Sequence, residues 1–160
     1  WPFKSMLSFA KSGFKVMNIE DFAIDIFIID PIKAIKIQIS DEKIADTIIS
    51  ISNIQQEKML ATECKSHPNI NFFQKIPELD DIKKLINEGY FLICNVNYWS
   101  LLNEDKYAGH FVIIEDITNT HILLQNPGLP PIKDQNVTHE QFLKAWRYPD
   151  KKAANIIAVR

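Results

Sequence analysis

The sequence predicts an α+β fold in which a mostly antiparallel sheet packs against helices. Helical spacing of apolar residues dominates the first half of the chain. Short strand-like segments and a hairpin signal dominate the second half. Helices followed by an antiparallel sheet are typical of the α+β class. No linker, internal repeat or low-complexity tract divides the 160 residues, so we expect one domain over residues 1–160.

The first half is predicted to be mainly helical. Gly13 can end a first helix, and Ser40 or Asp41 can cap a long one. Residues 20–39 are so rich in isoleucine that periodicity does not separate a strand from a buried helix there. The predicted elements are a helix over 3–12, a strand over 14–19, a helix over 41–64 and a short strand over 69–74.

The second half carries most of the predicted sheet. Gly89 ends a helix with a clear apolar stripe, and the strand after it is apolar on both faces, which predicts a strand covered on both sides. Thr138 can cap a last helix, with Gln141 completing a capping box. The predicted elements are a helix over 78–88, strands over 90–96, 110–117, 121–125 and 154–159, loops over 98–108 and 126–136, and a short helix after residue 138.

Composition excludes several classes of function. The net charge of −2 argues against a nucleic-acid-binding protein, and four glycines cannot supply a phosphate-binding glycine loop. No apolar run is long enough for a transmembrane helix, and no basic region stands before an apolar run at the start, so neither a signal peptide nor membrane contact is expected. Two cysteines suit a reducing compartment and favour a cytoplasmic location.

The predicted hairpin places a histidine and an asparagine close enough to interact. A three-residue turn at 118–120 would pair Ile117 with His121 and place His110 diagonally across from Asn126 on one face. Diagonal neighbours are about 7–8 Å apart at the backbone, within reach of long polar side chains. A two-residue turn would put the two residues on opposite faces.

A histidine held by an amide oxygen can act as a general base. The amide accepts one imidazole N–H and leaves the other ring nitrogen for a nucleophile. The plainer alternative is a core histidine, His110, and a turn-forming Asn126-Pro127-Gly128.

Four segments carry a family resemblance. They are Leu92 to Asn97, Tyr107 to Val112, Asn126 to Pro131 and Phe142 to Trp146. Together they resemble the bacteriocin-processing-peptidase-like family of papain-fold cysteine peptidases, well over residues 69–160 and loosely over 1–68. The resemblance implies a papain-like fold, no cofactor and a peptide or protein substrate. It implies His110 as the catalytic base and Asn126 as its orienting residue, where aspartate is usual in the family.

The nucleophile has no match in the sequence. The family carries its cysteine at the start of an N-terminal helix, and no cysteine precedes Cys64 here. Because the chain begins at Trp1, we expect the cysteine-bearing segment, and with it part of the N-terminal fold, to be missing; a form that has lost catalysis is the rival explanation. Cys94 lies mid-strand and Cys64 near a helix C-terminus, where neither thiolate is favoured, so neither is assigned.

Three interpretations of function therefore stay open. The first is a cysteine peptidase-like hydrolase of peptide or other acyl bonds that is inactive as these 160 residues stand. The second is a non-catalytic peptide-binding domain, and the third an acyltransferase or deamidase on the same scaffold. Tyr98, Trp99 and Tyr107 could wall a substrate cleft or simply cover the sheet edge. Cys64 and His67 alone are too few ligands for zinc, so no metal is expected.

Overall fold

One mixed sheet organises the computed structural model, which describes residues 1–128 and 130–160. In those residues its seven strands are Val16–Glu20 (β1), Ile70–Gln74 (β2), Phe91–Asn97 (β3), Gly109–Ile117 (β4), His121–Asn126 (β5), Ile132–Thr138 (β6) and Asn155–Val159 (β7). The spatial order is β2-β1-β7-β3-β4-β5-β6. Only β1 and β2 run parallel, so the expected α+β class with a mostly antiparallel sheet is confirmed.

Helices lie against both faces of this sheet. In the described ranges they are Phe3–Lys11 (α1), Ile24–Ile29 (α2), Pro31–Gln38 (α3), Glu42–Ile51 (α4), Ile54–Ser66 (α5), Leu79–Asn87 (α6), Tyr98–Leu101 (α7) and His139–Trp146 (α8), with a 3-10 turn at Lys151–Ala153. None of these helices is both long and apolar enough to cross a bilayer.

The two faces bury separate clusters of apolar side chains. Face A carries Cys94, Val96 and Val112 and packs against α6 and α8, whose Phe142 and Trp146 are fully buried. Face B carries residues such as Val16 and Ile157 and packs against α1, α2, α3 and α5. Side chains alternate between the faces along each strand, so every strand residue belongs to one of two environments.

The central strand β3 is covered unevenly. Its face A residues are buried, but Phe91 on face B is 48% exposed and Ile93 and Asn95 are only half-buried. The predicted cover on both sides is therefore complete on face A and partial on face B. Helices reach only part of face B beside β3.

One predicted helix is divided in the structure, and the segment left ambiguous is helical. The expected single helix over 41–64 is broken at Ser52, whose backbone is extended, and Asn53 then caps α5 through a bond from the Gln56 N–H to its side-chain oxygen. The ambiguous residues 20–39 form α2 and α3. Asp30 caps α3 through the Lys33 N–H, and Pro31 occupies its first position.

Parts of the two predicted loops are regular. Residues 132–138, mostly assigned to the loop over 126–136, form the edge strand β6, and residues 98–101 form the one-turn helix α7. Thr138 caps α8 as predicted, accepting the Gln141 N–H. The Gln141 side chain does not complete a capping box but donates to the Leu101 carbonyl, tying α8 to α7.

Candidate functional site

His110 and Asn126 meet at the end of face A. His110 is the second residue of β4, and Asn126 is the last residue of β5. His110 Nε2 lies 2.7 Å from Asn126 Oδ1. His110 is half-buried, whereas Asn126 is 2% exposed. The pair lies at the margin of the apolar core, with the imidazole partly open to solvent.

The surroundings of Asn126 fix which end of its amide faces the histidine. The Gly128 backbone N–H, which can only donate, bonds Asn126 Oδ1 at 3.1 Å. The same oxygen must therefore accept from His110, so in the neutral ring Nε2 carries the proton and Nδ1 carries the lone pair. Asn126 Nδ2 donates to Gln135 Oε1 at 3.0 Å and holds the amide from its other end.

A β-bulge gives the pair its common face. The hairpin closes around Asn119 and Thr120, because the Thr118 N–H bonds the His121 carbonyl and Ile117 pairs with Ile122. The expected pairing of Ile117 with His121 is therefore wrong. Between Ile114 and Asp116 the register shifts by one residue, so Ile113 pairs with Gln125. The shift restores the register in which His110 and Asn126 are diagonal neighbours.

Of the three aromatic residues predicted to wall a cleft, Tyr98 adjoins the histidine and Trp99 packs behind Tyr98. The Tyr98 ring meets the His110 ring edge-on, with centroids 5.3 Å apart. Trp99 packs edge-on against Tyr98 at 5.4 Å, and the Lys106 ammonium lies 4.5 Å from the Trp99 ring centroid. Tyr98 thus fixes one side of the imidazole.

Tyr107 occupies a different position. It stacks on Tyr148 with ring centroids 5.8 Å apart, and its hydroxyl lies beside Gly109 on face B. It lines a cavity there that neither His110 nor Asn126 lines. The three aromatic residues therefore divide between the two faces.

Neither cysteine is available as a nucleophile. Both side chains are fully buried and neither forms a disulfide. Burial raises the pKa of the Cys64 thiol to about 12, and its Sγ donates to the Phe3 carbonyl at 3.4 Å. Burial also raises the pKa of the Cys94 thiol well above its usual range. Both thiols are therefore protonated at neutral pH and shielded from reagents.

No protein-family model matches the chain, and no curated protein matches it. The assignment of a function therefore depends on the geometry of the His110–Asn126 pair. In residues 1–128 and 130–160, no three side chains of His, Cys, Asp or Glu converge as metal ligands.

Three positioning residues were not anticipated from the sequence. Gln135 was assigned to a loop, although Leu124 pairs with it across β5 and β6. Gly128 allows close approach: a Cβ there would lie 3.1 Å from Asn126 Oδ1 and 3.7 Å from His110 Cε1. Asn97, 2% exposed, bonds Ser100, the Lys106 carbonyl and the Ala108 N–H, and so folds the segment that carries Tyr98. A polar Asn at the end of an apolar strand was the available signal for Asn97.

Proposed function

We propose that His110 and Asn126 are the base and the orienting residue of a cysteine-dependent hydrolase of peptide or other acyl bonds. The observation that carries the proposal is the 2.7 Å bond from Nε2 to an amide oxygen whose orientation a backbone N–H fixes. Under this proposal, the sheet and α8 belong to a papain-like fold. The two free thiols suit a reducing compartment such as the cytoplasm.

The protonation state of the pair suits a general base. Nδ1 holds the lone pair and makes no hydrogen bond within the described residues. A thiol placed against Nδ1 would transfer its proton there, and the thiolate would attack the substrate carbonyl carbon. The protonated Nδ1 would then give its proton to the departing amine or alcohol as the thioester forms.

Hydrolysis of the thioester uses the same nitrogen again. Nδ1 takes a proton from an attacking water, the acid product leaves, and the proton returns to the sulfur. An amine or alcohol in place of that water would give acyl transfer, so the site chemistry alone covers both outcomes. Because Asn126 is neutral, it orients the imidazolium but adds no charge to stabilise it.

The thiol in this scheme comes from outside the 160 residues, because Cys64 and Cys94 are buried and protonated. The same observation favours a second candidate for these residues by themselves, a peptide-binding domain without catalysis. In that case the face A margin beside Tyr98 and Trp99 would hold the peptide.

Labelling with iodoacetamide separates the two candidates. In the longest natural protein that contains these residues, the hydrolase proposal predicts rapid labelling of one cysteine other than Cys64 and Cys94 at neutral pH. His110→Ala is expected to slow that labelling about 100-fold, the scale of a lost general base. His121→Ala removes a half-buried histidine at the hairpin turn and serves as the matched control.

Two outcomes would reject the hydrolase proposal. One is that the natural protein has no reactive thiol beyond Cys64 and Cys94. The other is that His110→Ala and His121→Ala label at the same rate as the parent. Far-ultraviolet circular dichroism of each variant verifies that the fold is retained.

A further inference from the structure

A candidate binding site lies in the cavity on face B that Tyr107 lines, away from the His110–Asn126 pair. A cavity of about 350 Å³ separates part of this face from α3 and α4. Its volume falls within the range of small-molecule sites. Its floor is formed by strand residues Asn18, Glu20 and Asn95. Their register explains the arrangement, because Glu20 pairs with Asn155 and Asn18 with Ile157 on the adjoining strand β7.

The sheet opens slightly under this cavity. Regular pairing of β3 with β7 covers only Phe91 to Ile93. Beyond that point the Asn155 side chain replaces the ladder: its Oδ1 accepts the Asn95 N–H at 2.8 Å, and its Nδ2 donates to the Asn95 carbonyl at 3.2 Å. These two bonds use the Asn95 backbone, and the Asn95 side chain lines the cavity and makes no hydrogen bond within the described residues.

Glu20 is the charged group of the floor. Asn18, 2% exposed, donates its Nδ2 to Glu20 Oε1 at 2.6 Å. The Asn18 amide oxygen and Glu20 Oε2 make no hydrogen bond within the described residues, and no ion pair there includes Glu20. Two acceptor oxygens, one of them on a carboxylate, therefore adjoin the cavity without a donor.

Burial sets the electrostatic state of this carboxyl. It raises the pKa of Glu20 above the usual range, opposed by the Asn18 hydrogen bond. A carboxylate with a raised pKa gains from a cation that enters beside it, because such a cation offsets the cost of burying the negative charge. Tyr107 adds a neutral donor to the lining, since burial and the neighbouring Tyr148 raise the pKa of its hydroxyl.

Isoleucines form the wall opposite the floor. The cavity is lined by Ile44 and Ile48 of α4. It is also lined by Ile35 of α3 and by Ile39, which directly follows α3. In α4 only Ala45 is buried, although the helix carries four isoleucines. The apolar face of α4 therefore borders the cavity and gains little contact with the sheet.

We propose that this cavity binds a small organic ammonium compound, with its cation at Glu20 and Asn18 and its apolar body against the isoleucines of α3 and α4. An ammonium has three donors and no acceptor, which matches the unbonded oxygens of Asn18 and Glu20. One carboxylate is too few ligands for a dedicated metal site. The proposal does not depend on the proposed hydrolase function, because its residues lie on the other face of the sheet.

Hexylammonium chloride and 1-hexanol are suitable probes because they share the apolar body and differ in charge. Titration followed by two-dimensional amide NMR of the 160-residue chain is expected to shift the resonances of Asn18, Glu20 and Asn95. Hexylammonium is expected to bind at least tenfold more tightly than 1-hexanol. Glu20→Gln is expected to abolish that preference, because the affinity for hexylammonium falls to that for 1-hexanol.

Two further variants keep the test decisive. Glu20→Asp retains the charge but withdraws it by one methylene, so its loss of affinity should be smaller than that of Glu20→Gln. Glu140→Gln removes an exposed carboxylate on α8 and should change nothing. Equal binding of the two probes, shifts confined to other parts of the molecule, or full hexylammonium affinity in Glu20→Gln would each overturn the proposal.

Discussion

At the scale of single residues, Asn126 links the backbone to the imidazole. Its oxygen accepts from Gly128 and from His110, and its nitrogen donates to Gln135. A neutral amide thus selects one tautomer of the ring through a backbone N–H that cannot change its role. The arrangement depends on the lack of a side chain at residue 128.

Gly128→Ala should disturb this pair. The new Cβ would lie 3.1 Å from Asn126 Oδ1, closer than ordinary van der Waals contact. We expect a loss of about 1–3 kcal/mol of stability, as for other overpacked sites. Two-bond ¹H–¹⁵N correlation spectra should show mainly the Nε2–H tautomer of His110 in the parent chain and a mixture in the variant.

Gly109→Ala is the control for that substitution. Its Cβ would meet Asn95 and Tyr107 atoms at 3.5 Å or more, an ordinary contact. It should leave the tautomer of His110 unchanged. A single tautomer and full stability in Gly128→Ala would show that the close approach at residue 128 is unimportant.

At the scale of elements, the extra residue in β4 determines where the histidine lies. Ile114 on one side of the bulge pairs with Leu124, and Asp116 on the other side pairs with Leu123. If the same residues paired without a bulge, the two-residue turn would place His110 and Asn126 on opposite faces, since a shift of one residue reverses every side chain. Removal of the extra residue itself would instead join the two registers and leave His110 on the face of Asn126.

Deletion of Glu115 should therefore be tolerated. It removes the unpaired residue, which is exposed, and leaves both flanking registers as they are. We expect the chain to fold and His110 to keep its tautomer. Deletion of Ile113 is the contrasting variant, because a straightened strand would then place Glu115 at the buried position of Ile114. We expect that variant to lose several kcal/mol in urea unfolding or to fail to fold.

The cap at Asn53 gives a second prediction for an element. Asn53→Ala removes the side-chain oxygen that accepts the Gln56 N–H at the start of α5. We expect a loss of about 1 kcal/mol in urea unfolding, typical of a lost N-cap. Asn53→Asp retains an acceptor and should cost little. Equal stability of the Ala and Asp variants would mean that the cap does not stabilise α5.

The sequence predicted most elements that have a strong local signal. The capped helix after Thr138 and the strand that begins near Ala154 lie where they were expected. The break at Ser52 was missed because helical spacing continues across it. The strand β6 was missed because Lys133 to Asn136 is polar, which is tolerated in an edge strand that pairs on one side only.

The site was partly predictable for a related reason. The sequence predicted that His110 and Asn126 lie close together, but it did so by assuming a three-residue hairpin turn. The structure reaches the same juxtaposition with a two-residue turn and a bulge, and bulges leave little signal in a single sequence. The cavity floor with Glu20 was not anticipated, because its residues come from strands that are distant along the chain.

At the scale of the whole molecule, the buried thiols should make stability sensitive to alkaline pH. The pKa of Cys64 is raised from an ordinary 9.0 to about 12 in the folded state. The stabilisation from keeping this thiol neutral is complete below pH 9. It is lost as pH rises from 9 towards 12, because only the unfolded chain releases the proton, at about 1.4 kcal/mol per pH unit.

Cys64→Ser isolates this effect. Serine keeps a donor for the Phe3 carbonyl but does not titrate in this range. Urea unfolding at several pH values should show the stability of the parent falling more steeply than that of the variant above pH 9. Parallel curves for the two proteins would contradict the assignment of a buried, protonated thiol at residue 64.

The position of β7 has a kinetic consequence. This strand lies between β1 and β3, and its Val159 pairs with Val16, so nearly the whole chain separates two neighbouring strands. Closing so large a loop is entropically unfavourable, and the contacts between β1 and β7 form only once the loop has closed. Refolding should therefore be slow for a chain of this length, with the local β4–β5 hairpin formed early and the two halves of the sheet joined last.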